Sequence, residues 1–426
     1  MKTAGLLKEE FKNGCYEAIL QEIYVDAGLV EGQTERYVGA LDKFIELYGD
    51  KEVEIYSVPG RSEVCGNHTD HQRGEVLAAA INLDIIAVVA KHNEYIKILS
   101  DDYDLEAVRM DDLAKKAEEE PTSEGLIRGV AFRLKELGYN VGGFEGYMTS
   151  DVLQGSGLSS SAAFEVMIGT ILSGLYNDMQ LDPVLIAQVG QYSENVYFGK
   201  PSGLMDQCAC SVGSLIHIDF ADNKHPVVKK VDVDFPEFKH SLCIVDVHAS
   251  HADLTPDYAA IPYEMKEVAQ FFGKDVLREV EEKDFYALLA VLREKLADDR
   301  AILRAIHLFE ENKRVNRAVA ALNAKDFKAF KEVIRESGNS SYKFLQNIYS
   351  NHDERNQAIS IAIALSEMIL KNHGVCRVHG GGFAGTMQAF VEDDYVETYK
   401  RSMEKCFGEG SCHVLKVRKY GGKKVI

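Results

Sequence analysis

The chain has 426 residues, 46% hydrophobic and 27% charged, the composition of an ordinary globular protein long enough for two cores. Lys and Arg number 48 against 67 Asp and Glu, a formal charge of −19, so the long-range field opposes nucleic acid and anionic membranes while still admitting a small polyanion held in a local cradle. The eight cysteines show neither disulfide nor metal spacing, and no apolar run of about 18 residues or charged leader pattern occurs, which together point to a reduced, cytoplasmic setting.

In chain order, residues 1 to about 48 carry apolar positions at helical spacing, from Leu6, Leu7 and Phe11 to Leu41, Phe44 and Ile45, and read as a helical brace. Strands are expected at Glu54–Val58, Ile81–Ala90 and Tyr95–Leu99, which leaves the polar segment Gly60–Gly74 as a loop between β elements. A helix should open near Ser159–Ser161, because Phe164, Met167, Ile168, Ile171, Leu172 and Leu175 follow at helical spacing. Another starts at Asp182 as N-cap with Pro183 behind it and stops at Gly199 before Pro201. The polar stretch Asp219–His225 marks a domain seam. Beyond it come a strand at Leu242–Val247, a long helical region from about Tyr263 to Ser337, a helix near Gln357–Leu370, and two strands, Val375–Val378 and Thr386–Val391, around a glycine run.

Three segments carry chemistry. In Gly155-Ser156-Gly157-Leu158-Ser159-Ser160-Ser161 a glycine pair and three hydroxyls run into a helix, where unpaired N–H groups and the helix dipole favour an anion. A capped helix after a turn is the plainer alternative, and a Walker A loop is excluded because no Lys follows at the required spacing. The segment Gly60–Gly74 concentrates Arg61, Asn67, His68, Asp70, His71 and Arg73 between glycines, a density of donors and acceptors suited to a polyhydroxylated ligand. The run Gly380-Gly-Gly-Phe-Ala-Gly385 fits the dinucleotide pattern G-x-G-x-x-G, but a strand follows it where that fingerprint must open a helix. It reads instead as a hairpin or as a place where backbone passes close to another loop. Glu194, in the last turn before Gly199, and Asp206, just after it, are candidates for holding Mg²⁺ and for facing an acceptor hydroxyl.

These motifs resemble, in order, those of the small-metabolite kinase family that includes galactokinase, homoserine kinase, mevalonate kinase and phosphomevalonate kinase. Pro59-Gly60-Arg61, Gly155–Ala163 and Gly380–Gly385 are similar to its three motifs, over roughly Phe44 to Val391. Within the family the resemblance is to the galactokinases, through His68-Thr69-Asp70, Gly203-Leu204-Met205-Asp206-Gln207, Arg304-Ala-Ile-His307 and Glu311-Asn312-Lys313-Arg314-Val315. The resemblance implies an α+β fold of two domains: an N-terminal mixed-sheet domain of the ribosomal-protein-S5-like type and a C-terminal ferredoxin-like domain, with the site in the cleft. The corresponding division is residues 1–40 as an extension, 41–222 and 223–426.

By the same resemblance, ATP binds along Gly155–Ser161, Asp206 is the catalytic aspartate, and Arg61 stabilises charge on the transferred phosphoryl group. Ser160 and Glu194 would assist Mg²⁺, and Asn67, His68, Asp70, Gly203 and Tyr258 would line the sugar seat. The implied activity is ATP-dependent phosphorylation of a sugar, galactose, at C1, by a cytoplasmic monomer or weak oligomer without nucleic-acid or membrane partners. Two departures stand out. Asn67 occupies the position of a galactokinase glutamate, and Ala259-Ala260 follow Tyr258 where paired arginines are usual. The first motivates an alternative substrate, a galactose modified as galacturonate or N-acetylgalactosamine; a non-catalytic sugar sensor is the remaining alternative.

Overall fold

The computed structural model describes residues 2–100, 104–116, 121–153, 157–200, 202–249 and 254–426; Gly155 and Ser156 of the phosphate loop lie outside them. Two sheets organise the chain. The larger contains nine strands among the described residues, ordered Lys2–Thr3, Glu52–Cys65, Glu75–His92, Gly143–Ser150, Tyr95–Ser100 and Val108–Arg109, with Leu215–Asp219 on the first half of Glu75–His92. The smaller is antiparallel, ordered Gly374–Val378, Thr386–Glu392, His240–Asp246 and Cys412–Leu415.

Alternation along Glu75–His92 separates two apolar faces. Ile86 and Val88 pack with Leu20, Ile23, Leu41 and Phe44 of the N-terminal helices, Ala4–Lys12, Glu17–Tyr24 and Val30–Tyr48. Ala87 and Val89 join the other core with Val166, Ile171 and Leu172 of the helix Ser160–Asn177. A period of two is what a strand covered on both sides requires. The expected N-terminal brace is therefore an integral layer of the sheet. The chain's last residues also return to this sheet, where Lys423–Lys424 pair with Ser57 and Tyr56.

One expectation needs correcting. The strand Glu52–Cys65 runs through the first part of the supposed loop, so Arg61 and Glu63 are strand residues and the loop proper is Gly66–Gly74. Register shifts on either side of Arg61 and Glu63 re-aim their side chains. Asp182 caps its helix as expected, accepting from Val184 N–H at 2.8 Å. The helical region after residue 254 is broken into several helices, of which Asp299–Asn323 is the longest, followed by Thr255–Phe271 and Phe327–Ser340. Cys208 and Cys210 are small buried residues of the helix Met205–Val212.

Candidate active site

Arg61 and Asp206 meet where the strand Glu52–Cys65 passes the start of the helix Met205–Val212. Arg61 Nε donates to Asp206 Oδ1 at 2.7 Å and Nη2 donates to Oδ2 at 2.6 Å, the two-pronged geometry in which guanidinium and carboxylate are most firmly oriented. The third nitrogen, Nη1, donates to the Gly157 carbonyl, and the Ser159 hydroxyl donates to Asp206 Oδ2. Arg61 N–H also donates to the Leu158 carbonyl at 3.1 Å. The expected phosphate loop is thus tied, through Gly157 and Ser159, to both members of the pair. Gly60 permits the approach, since a Cβ there would stand 2.9 Å from the Leu158 oxygen.

Burial opposes the charge on Asp206, but Arg61 and the Ser159 hydroxyl outweigh it and hold the carboxyl below its ordinary range. The Asp206 side chain keeps 32% of its surface exposed, so it can still be approached by a ligand. Ser159 adopts a left-handed conformation, φ 58°, and spends its hydroxyl on Asp206 rather than on capping its helix. Among the described residues the helix Ser160–Asn177 has no side-chain cap from its N-cap residue, and Ser160 and Ser161 face a cavity of about 330 Å³. Its apolar wall includes Ile98, Leu126, Met148, Phe164 and Phe198.

Glu194 opens a π-helical turn, Glu194–Phe198, and is 3% exposed. Lys200 Nζ donates to its Oε1 at 2.8 Å and Gln207 Nε2 to its Oε2 at 3.0 Å. Gln207 also donates to Glu165 Oε2 at 3.0 Å. Burial, followed by the charge of Glu194, pushes the Glu165 carboxyl well above the usual range.

On the sugar side the expected residues divide. Asp70 opens the turn after Thr69 and its Oδ2 would lie 2.5 Å from a Cβ at Gly203, so glycine there is what lets the two segments meet. His68, with φ 57°, bonds the Gly381 carbonyl through Nε2 at 3.0 Å, and burial first, with His71 second, pushes its pKa down to about 4. Tyr258 OH donates to the Gly382 carbonyl at 2.9 Å, and its ring would stand 2.6 Å from a Cβ at Gly381. The late glycine run is thus the close-approach segment that brings His68 and Tyr258 together.

Asn67 departs from its expected place in the sugar seat. It has no exposed surface, and its Nδ2 donates to Glu63 Oε1 at 2.9 Å and to the Gly380 carbonyl at 2.7 Å. Its Oδ1 accepts from Asn347 Nδ2 at 2.8 Å and Ser341 Oγ at 3.3 Å. An amide can make all four bonds; a carboxylate could not donate, and would face Glu63 with like charge. Glu63 itself is a buried residue that sequence reading passed over, held by Arg377 Nη2 at 3.3 Å. Its sequence signal was a charge of opposite sign two positions from Arg61, the spacing that places both on one face of a strand.

The later motif residues brace this loop from behind. His307 Nε2 bonds the Asn67 carbonyl and its Nδ1 meets Ser340 Oγ, both at 2.9 Å. Glu311 accepts from Gly66 N–H at 3.1 Å and from Arg314 Nε at 2.6 Å. Ser62 and His379, also missed, join the strand to the glycine run through a 3.1 Å contact, and burial, aided by the Arg61 charge, lowers His379 to about 3.

Comparison with known proteins gives the family. The GHMP kinases N terminal domain matches residues 125–214, and the galactokinase galactose-binding signature matches residues 42–91. A mevalonate kinase structure shares the fold, with TM-score 0.57 at 17% identity over 85% of this chain and 99% of that one. Fold and site therefore define a GHMP-type kinase. A galactokinase of Streptomyces coelicolor is 30% identical over 370 residues, 86% of this chain and 92% of the relative. One of Clostridium tetani is 26% identical over 89% of this chain and 95% of that one. The structure of Lactococcus lactis galactokinase complexed with galactose superimposes with TM-score 0.74 at 25% identity, covering 90% of this chain and 98% of that one. The chain belongs to the galactokinase family.

Proposed function

We propose that the chain transfers the terminal phosphoryl group of ATP to the C1 hydroxyl of galactose. The observation that carries this reading is the Arg61–Asp206 fork, locked to Gly157 and Ser159 of the expected phosphate loop, three residues along the chain from Gly203, against which Asp70 packs. Phosphoryl transfer asks a protein mostly for positioning and for charge stabilisation. Asp206 orients the acceptor hydroxyl and takes its proton as the new P–O bond forms; Arg61 keeps that carboxylate ionised and offsets charge on the transferred group. A carboxylate held below its ordinary pKa suits a reaction in which the acceptor loses its proton late.

The nucleotide phosphates would lie on the uncapped helix start at Ser160, with the base in the apolar cavity beside Phe164 and Phe198. Glu194 and Ser160 would supply hard oxygen donors for Mg²⁺, and Glu194 already carries a cation, the Lys200 ammonium. When bound, the metal neutralises phosphate charge. Asp70, His68, Gly203 and Tyr258 form the sugar seat, and Asn67 acts through them by holding their loop. That burial removes the argument for a modified galactose. The finer architecture follows the family: an S5-like first domain, a ferredoxin-like second domain from about residue 223, the site in the cleft between them, and a cytoplasmic monomer or weak oligomer.

Coupled ADP release over galactose, galacturonate, N-acetylgalactosamine and glucose tests the reading. Galactose should be turned over fastest by a wide margin; turnover of none of the four would overturn it.

A further inference from the structure

The helix that carries Glu194 ends by folding back on it. Gly199 takes φ 77°, its N–H donates to the Glu194 carbonyl, and Lys200 N–H donates to the same oxygen at 3.1 Å. This closure fixes the backbone of Lys200 beside Glu194, and its ammonium reaches the Oε1 at 2.8 Å. The two partners differ sharply in burial: 58% of the Lys200 side chain is exposed against 4% of Glu194. The other Glu194 oxygen is held by the fully buried Gln207, which also holds the buried Glu165. Glu165 Oε1 and Gln207 Oε1 have no hydrogen-bond partner among the described residues. Hence, among the described residues, the partner of Glu194 that can leave toward solvent without disturbing the core is the Lys200 ammonium.

We infer that Lys200 is a built-in counter-ion of the metal seat. It neutralises Glu194 when no metal is present and swings out when Mg²⁺ arrives with the nucleotide. A buried carboxylate without a cation is costly, and here a second carboxyl lies behind the same glutamine. An ammonium on a flexible stem is suited to leaving, because it is a point charge with no second prong to break. Bare Mg²⁺ must displace it alone, whereas Mg²⁺ accompanied by phosphates brings its own further ligands. The enzyme is thereby biased to take up metal together with nucleotide. This inference rests on Glu194 being the metal seat.

Lys200→Met tests it, with Glu194→Gln as the control. In Lys200→Met the Mg²⁺ concentration that half-saturates binding of a non-hydrolysable ATP analogue, measured calorimetrically, should fall about three- to tenfold, the worth of a partly exposed ion pair. The metal-free protein should melt roughly one to three degrees lower, and the deficit should disappear with Mg²⁺ and analogue present. In the Glu194→Gln background, Lys200→Met should change neither quantity. If Glu194→Gln weakens Mg²⁺-dependent binding while Lys200→Met leaves it unmoved, the counter-ion role is overturned and the metal seat stands. If Glu194→Gln leaves the Mg²⁺ dependence unchanged, the seat itself is misplaced and the counter-ion role falls with it.

Discussion

Two aspartates are held by arginines, and the proposed function puts them to opposite uses. Asp84 faces the N-terminal helices and has no exposed surface. It accepts from Arg36 Nη1 at 2.7 Å, Arg418 Nη1 at 3.1 Å, Tyr24 OH at 2.9 Å and the Ser57 hydroxyl. Asp206 has one arginine and one serine, and about a third of its side chain is open. Pairing alone therefore does not distinguish a functional carboxylate from a structural one. The number of protein donors and the surface left for a ligand do.

The largest effect that separates the two is on turnover. Asp206→Asn should lower kcat by about 10²–10⁴-fold, the range for loss of a positioned acid–base group, with galactose binding retained in the folded protein. A kcat within tenfold of the parent would merge the two aspartates into one structural class. Asp84→Asn should do the converse. It leaves the fully buried Arg418 short of its counter-charge and Arg36 with Asp151 alone, at about 3–5 kcal/mol of stability, while the folded fraction keeps its kcat. Urea unfolding with activity normalised to folded protein checks this.

Asn67→Asp sharpens the comparison, because it puts a second charge beside Glu63 at a site with no exposure. A loss of about 2–3 kcal/mol is expected with the galactose KM moved only severalfold. A large rise in KM at unchanged stability would return Asn67 to the sugar seat. The smallest effect comes from pH. Burial lowers the His307 pKa to about 4, while the unfolded ring titrates near 6.5, so between these values the unfolded chain binds a proton that the folded one does not. The His307 contribution is therefore full above about pH 6.5 and is lost as pH falls, by roughly 2 kcal/mol at pH 5. The melting temperature of His307→Asn should fall less steeply between pH 7 and 5 than that of the parent. Parallel slopes would remove His307 from the account.

What could be read from the sequence follows the same division. The helix after Ser159, the Asp182 cap and the Gly199 stop were legible because local spacing and capping chemistry determine them. Arg61 and Asp206 were legible only through a resemblance, since 145 residues separate them and no periodicity joins them. Asn67 was misplaced because its partners, Asn347 and the Gly380 carbonyl, lie some 280 and 313 residues away. The Lys200–Glu194 pair was within reach, six residues apart across a glycine stop. It went unread because the turn there is π-helical, and α-helical spacing does not bring those side chains together.

The central claim is that Arg61 and Asp206 work as one unit on the transferred phosphoryl group. A double-mutant cycle of Arg61→Lys and Asp206→Asn, read as kcat/KM for galactose, tests it most directly. The account predicts that the double variant loses about as much as Asp206→Asn alone. Losses that simply multiply would mean two independent residues and would contradict it.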